Sequence, residues 1–232
     1  MKSPISSRIK TIASAIVAAV LGAGVCAGCN YVGAAFLLAH GPPKIPGQYA
    51  LNPNAKTVIL IDDLSNRVPR RSLRDLIGKS ADETLLSEGV IAQGMLISSE
   101  SARRAAASDS SENRMSAVEV GRRVGADVII YVTMTGWTLQ REPGIVSPAA
   151  SADVKVIDCV SNQRMWPPGD AGYDFLAEMP RRQGDLESMG SQADKSKTDA
   201  DLAKYVGIQL ARLFFTHERD TLRQQEGTEK KY

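Results

Sequence analysis

Aromatic side chains, cysteine and histidine are all scarce in this chain of 232 residues: aromatics make up 5%, with 3 cysteines and 2 histidines. So few thiols and imidazoles exclude a disulfide-stapled scaffold and a Cys/His zinc module. A dominant charge of one sign is missing too. Lys+Arg number 28 and Asp+Glu 26, and residues 1–28 hold three of the basic groups (Lys2, Arg8, Lys10) and no acidic one, so 25 basic groups face 26 acidic ones in the remainder. A body that neutral lacks the field that draws a polyanion, and no nucleic-acid partner is expected. Nor is there a Gly-Lys-Ser/Thr phosphate loop, and Gly22-Ala23-Gly24 has neither the preceding strand nor the third glycine of a dinucleotide loop. No cofactor, metal site or catalytic residue is expected.

What is present starts at the N-terminus. Lys2, Arg8 and Lys10 form a positive segment, and Ile12–Val25 an apolar one of the length an export signal uses. It ends in Cys26-Ala27-Gly28-Cys29, two small residues directly before a cysteine. From Thr11 to Pro43 there is no formal charge, so an uncleaved helix of about 20 residues spanning a bilayer is the alternative reading, and plain secretion a third. All three put the body outside the cytoplasm.

The Ala-Gly-Cys ending resembles a bacterial lipoprotein signal. Residues 1–28 would then be the signal peptide, and the resemblance implies a diacylglycerol thioether on Cys29, cleavage before it and an acyl chain such as palmitate on the new amine. Cys26 departs from the pattern, which has an aliphatic residue at that place. One acyl chain holds a protein only marginally and two or more hold it stably, so a triacylated Cys29 would be a membrane anchor facing the periplasm, the membrane itself unspecified. Cys159 would be the one thiol left in the mature chain, reading as a small buried apolar residue.

Residues 29–55 read as a lipidated tether, since Pro42-Pro43 and Pro46-Gly47 favour extended backbone. The folded domain is expected over 56–225. Thr57–Ile61 reads as a strand covered on both faces, closed by Asp62-Asp63. Arg70–Gly89 reads as helix, with Gly78 and the capping spacing Ser80-x-x-Glu83 signalling a break near 79. Val90–Ser98 is a weaker strand, and Ser99–Ala107 a short helix. Ser116–Gly125 reads as a helix stopped by Gly125, Asp127–Thr135 as the strongest strand, Gln140–Ala150 as a loop, and Ala152–Cys159 as an alternating antiparallel strand that returns at Arg164–Trp166. Residues 167–200 read as a long flexible insertion without period, and 199–225 as a final helix with Leu202, Val206, Leu210 and His217 on its apolar face. Residues 226–232 form a fraying tail.

This order predicts an α/β (α+β) fold: a mixed sheet of about five strands, helices mainly on one face and a long C-terminal helix. The stretches VILIDD, VGADVIIYVTMTGW and ADVKVIDCVSNQRMW resemble the CsgG-like lipoprotein group, which takes in the curli-secretion lipoprotein, the TolB N-terminal domain and the LpoB activator. The resemblance spans about residues 56–166 and the last helix. It implies a non-catalytic module that binds envelope partners or assembles with copies of itself. A secretion-type lipoprotein complex is one version, but neither 140–150 nor 167–200 shows the alternating strands of a membrane barrel.

Two clusters stand out as candidate partner contacts. One is Tyr173, Phe175, Leu176 and Met179; the other is Arg67, Arg70, Arg71 and Arg74, whose ordinary reading is a solvated helix start. The expected partners are the membrane through Cys29, an envelope protein or glycan, and a second copy of the chain. The competing reading is an envelope hydrolase using Asp62 or Asp63. Adjacent residues on a strand point to opposite faces, so these two cannot act side by side, and the enzyme would need a concave site that brings other polar groups to one of them. Trp137 and Trp166 end strands and read as packing residues.

Overall fold

The computed structural model describes residues 43–107, 114–142, 145–179 and 191–218. The chain divides into two units, Met1–Lys44 and Ile45–Tyr232, and the elements below lie in the second. The expected signal peptide, Cys29, His40 and the tail 226–232 fall outside the described residues.

In chain order the elements are β1 (Thr57–Asp62), α1 (Arg71–Ser87), β2 (Leu96–Ile97), α2 (Ser99–Ala107), α3 (Ala117–Val124), β3 (Val128–Glu142), β4 (Ile145–Asp158), β5 (Arg164–Trp166), β6 (Tyr173–Glu178) and α4 (Gln192–Ala211), with a 3-10 turn at Arg212–Phe214. They build the expected mixed α/β fold around a six-stranded sheet of order β2-β1-β3-β4-β5, with β6 also paired to β4. β1 runs parallel to both neighbours, Thr57 facing Leu96 and Val128. β3, β4, β5 and β6 are joined by antiparallel pairings.

All six residues of β1 are buried, as a branched apolar strand covered on both faces must be. Ile59 and Ile61 meet the long helices α1 and α4, through Leu73, Ile77, Leu85, Leu202, Val206 and Leu210. Val58 and Leu60 meet the short helices α2 and α3, through Ala102, Val118 and Val120. Connections from β1 to β2 and from β2 to β3 therefore cross on opposite faces, so the carboxyl end of β1 lies at a change of direction in the sheet, where open α/β sheets place their crevices. α3 is set by its ends: Ser116 and Glu119 form a reciprocal capping box, and Gly125 closes the helix in the left-handed region at φ 78°.

Several expectations are corrected. α1 does not break near 79. Gly78 and Ser80 are buried packing positions, and an added methyl at Gly78 would overlap the Ser99 side chain at 2.5 Å. The expected loop at 140–150 is corrected: residues 140–142 and 145–150 belong to the paired strands β3 and β4, with Trp137 opposite Ala150 and Gln140 opposite Val146. The expected insertion at 167–200 contains two regular elements among its described residues. Tyr173–Glu178 alternates, with Phe175 and Ala177 buried and Asp174, Leu176 and Glu178 exposed, and α4 starts at Gln192 with Ser191 as its cap. That helix ends at Ala211 rather than near 225, because the following 3-10 turn buries Leu213 and Phe214 and Phe215 is extended. His217 is thus off the helix, its Nδ1 3.2 Å from the Phe215 carbonyl oxygen. At the other end, Tyr49 and Leu51 already pack on the core, and the Gln48 and Tyr49 amides donate to Leu213 O at 2.6 and 3.1 Å, so the folded unit starts ahead of residue 56. Within Val90–Ser98 the strand is confined to Leu96–Ile97.

Candidate functional site

The carboxyl end of β1 delivers Asp62 and Asp63 to opposite sides, as strand geometry requires, and both are buried. Asp63 is spent on the chain that follows it. Its Oδ1 accepts from the Arg67 amide (2.7 Å) and its Oδ2 from the Val68 amide (2.9 Å), closing the turn that leads into α1. Asp62 faces the α2–α3 side. Its Oδ1 accepts from its neighbour's amide (2.8 Å) and from the Arg114 guanidinium, with which it forms an ion pair, and its Oδ2 accepts from the Tyr131 hydroxyl (2.8 Å). Burial, reinforced by the Asp62 carboxylate, pushes the Tyr131 phenol above its ordinary range, so it remains a donor at neutral pH.

Around Asp62 lies a cleft of about 640 Å³, within the size range of small-molecule sites. α1 contributes Arg71 and Arg74, α2 Arg103, Ala106 and Ala107, and the start of α3 Met115 and Ala117; the floor is Leu60, Asp62 and Tyr131, with exposed Leu64 at the rim. Four guanidiniums thus converge on one concavity. Arg114 is neutralised by Asp62 and Arg103 by Asp75. Arg71 and Arg74 have no hydrogen-bond or acidic partner among the described residues, and the Arg74 Nε is buried without one. The helix N-terminus beside them is already occupied, since Glu119 accepts from the Ser116 amide at 2.7 Å; that bond, with the Ser116 side chain, holds the Glu119 carboxyl below its ordinary value.

The expected arginine cluster is therefore split by the fold. Arg71 and Arg74 line the cleft. Arg70 turns the other way, donating to Ser196 Oγ (2.5 Å) and reaching Asp199 (3.4 Å). Arg67 is exposed. Asp199, 8% exposed, also accepts from the Trp137 indole at 3.0 Å, so it joins the hairpin to the start of α1. A second concavity beside α1 carries mixed charge from Arg70, Lys79, Asp82 and Glu100. There burial raises the Asp82 carboxyl to about 6, against a hydrogen bond from the Ser99 amide (2.9 Å) that favours the charged form.

The apolar cluster expected to contact a partner is corrected. Phe175 is buried, Tyr173 stacks on Trp166 with ring centroids 4.7 Å apart, and Met179 packs against the core; Leu176 alone of the four is exposed, at 54%. Trp166 is a core residue, also 6.0 Å from Tyr49 and 6.3 Å from Phe214. Cys159 is a free, buried thiol raised by burial to about 11, well away from a reactive thiolate. Among the described residues no group of three or more His, Cys, Asp or Glu could hold a metal ion, and no helix is long and apolar enough to cross a membrane. Sequence reasoning missed Arg114, Tyr131, Arg103 and Asp199. Tyr131 alone left a mark, as the one phenol in an otherwise apolar run.

The molecule defined so far is a mixed α/β domain with an arginine-lined cleft at the end of its central strand. No family model matches the chain, and none of the curated proteins does. Solved structures similar to it include the PelC dodecamer from Paraburkholderia phytofirmans, 16% identical over 74% of this chain and 94% of that one, with a TM-score of 0.37. The lipoprotein GNA1162 from Neisseria meningitidis is 12% identical over 62% and 99%, at a TM-score of 0.39. The C-terminal domain of LpoB from Salmonella enterica is 15% identical over 54% and 84%, at 0.32.

Proposed function

We propose that this chain is an envelope lipoprotein, anchored through Cys29, whose folded unit is a non-catalytic binding module working through the cleft at the end of β1. The observation that carries this reading is how the cleft spends its polar groups. The Asp62 carboxylate is filled by Arg114, Tyr131 and the Asp63 amide, and Asp63 is filled by two backbone amides. What the cleft offers a visitor is guanidinium donors over an apolar wall, the chemistry of recognition rather than of proton transfer. The export-like segment and the Ala-Gly-Cys ending supply the anchor.

Two measurements test it. Mass spectrometry of the mature N-terminal peptide should find Cys29 as an acylated first residue; intact protein starting at Met1 in a soluble fraction would overturn the anchor. A photo-crosslinking residue in place of Leu64, at the cleft rim, should capture an envelope component in intact cells. Capture of nothing there, alongside an unaltered cellular phenotype when Arg71 and Arg74 are replaced, would overturn the cleft as the working face. The hydrolase reading gains a concave site beside Asp62, and it requires a hydrolytic activity of the purified protein that Asp62→Asn abolishes under conditions where the variant is still folded; the binding-module reading expects no such activity.

A further inference from the structure

The cleft's charge balance says more than that something binds there. Of its four guanidiniums, two are matched by the carboxylates of Asp62 and Asp75, and the two on α1, Arg71 and Arg74, are matched by none among the described residues. They stand three residues apart, on adjacent turns of one helix face, a spacing that puts their Cβ atoms about 5–6 Å from each other. Arg71 is exposed and Arg74 half-buried, both without a counter-charge among the described residues, and burying the Arg74 Nε without an acceptor carries a desolvation cost. A compact dianion would supply that acceptor and match both charges at once. A single carboxylate neutralises only one of the pair, while a phosphoryl group presents three oxygens to two guanidinium forks. The opposite wall, Ala106, Ala107, Met115 and Ala117, offers no charge and suits an apolar substituent.

We infer that this cleft is a binding site for a phosphomonoester-type dianion carrying an apolar group, held by Arg71 and Arg74 while Arg103 and Arg114, tied to Asp75 and Asp62, frame it. The inference deepens the binding-module reading and rests on it. The phosphoryl group is either that of a soluble phosphoester or the headgroup of a lipid in the anchoring membrane.

The test uses the full chain in phosphatidylcholine nanodiscs, titrated with phenyl phosphate by calorimetry. Saturable one-to-one binding is expected, weakened at least tenfold in the Arg71→Gln/Arg74→Gln double variant and unchanged in Arg67→Gln, whose side chain does not line the cleft. Repeating the titration in discs containing phosphatidic acid separates the sources: lost affinity for phenyl phosphate assigns the site to a lipid phosphate, unchanged affinity to a soluble phosphoester. No saturable binding in plain discs, benzoate binding as tightly as phenyl phosphate, or a double variant that binds like the parent would each overturn the inference. If phenyl phosphate fails while crosslinking from the Leu64 position still captures an envelope component, the ligand class falls and the binding-module reading stands. If the crosslink fails as well and replacing Arg71 and Arg74 leaves the cellular phenotype unaltered, both fall.

Discussion

Asp82 is a carboxylate the fold would rather keep protonated. Its pKa stands near 6 in the folded chain against an ordinary 3.8, because burial outweighs the amide bond from Ser99. The folded state therefore holds this proton more tightly than the unfolded one. The stability it contributes is complete below pH 4, is lost as pH rises from about 4 to 6, and is level above that. Asp82→Asn keeps an oxygen for the Ser99 amide and removes the charge. It is expected to be more stable than the parent at pH 7, by up to about 3 kcal/mol, and equal to it below pH 4, as denaturant melts at the two pH values would show. Tyr131 gives the complementary case. Tyr131→Phe leaves the buried Asp62 Oδ2 without its donor and should cost about 1–3 kcal/mol in the same melts, with little change in the rest of the structure.

At the scale of elements, two glycines set how closely the layers approach. A methyl on Gly207 would overlap the Ile77 carbonyl oxygen and come within 2.7 Å of Ser80 Cβ, so α1 and α4 touch backbone to backbone there. Gly207→Ala should push these helices apart and lose about 1–3 kcal/mol. Gly121 meets the Cys159 sulfur instead, which is a side chain that can be removed. Gly121→Ala should destabilise the parent, and Cys159→Ala should recover part of that loss in a double-mutant cycle. β6 is tested by contrast along one strand. Phe175→Ala should cost about 3–5 kcal/mol, and Leu176→Ala less than about 0.5, because one side chain is core and the other meets solvent.

Legibility followed the strength of local signals. β1 and β3 were readable as continuous runs of branched residues, the inner half of β4 by its alternation, and α3 by apolar residues at helical spacing ahead of a stopping glycine. β6 was missed since only six residues alternate, inside polar surroundings and after two prolines. The supposed break in α1 and the overlong last helix share a cause. Gly78 and Ser80 look like punctuation locally and are small for a tertiary reason, while Leu213 and Phe214 continue a helical period that the core claims by another geometry. The cleft was half legible: Asp62, Arg71 and Arg74 stood out, but which arginines stay unmatched depends on partners 28 to 52 residues away, Asp75 to Arg103 and Asp62 to Arg114.

For the molecule as a whole, the expected anchor makes geometry a matter of leverage. Cys29→Ala should release the protein from sedimented membranes while its melting temperature stays within a degree or two, since the described core is built from residue 49 onward. Asp199 then acquires a mechanical meaning. One carboxylate takes the Trp137 indole on its first oxygen and the Arg70 guanidinium on its second, so the outer arm of the hairpin and the first turn of α1 share a fulcrum. Replacing Asp199 would break both links at once and leave the hairpin arm and the start of α1 without their shared tie.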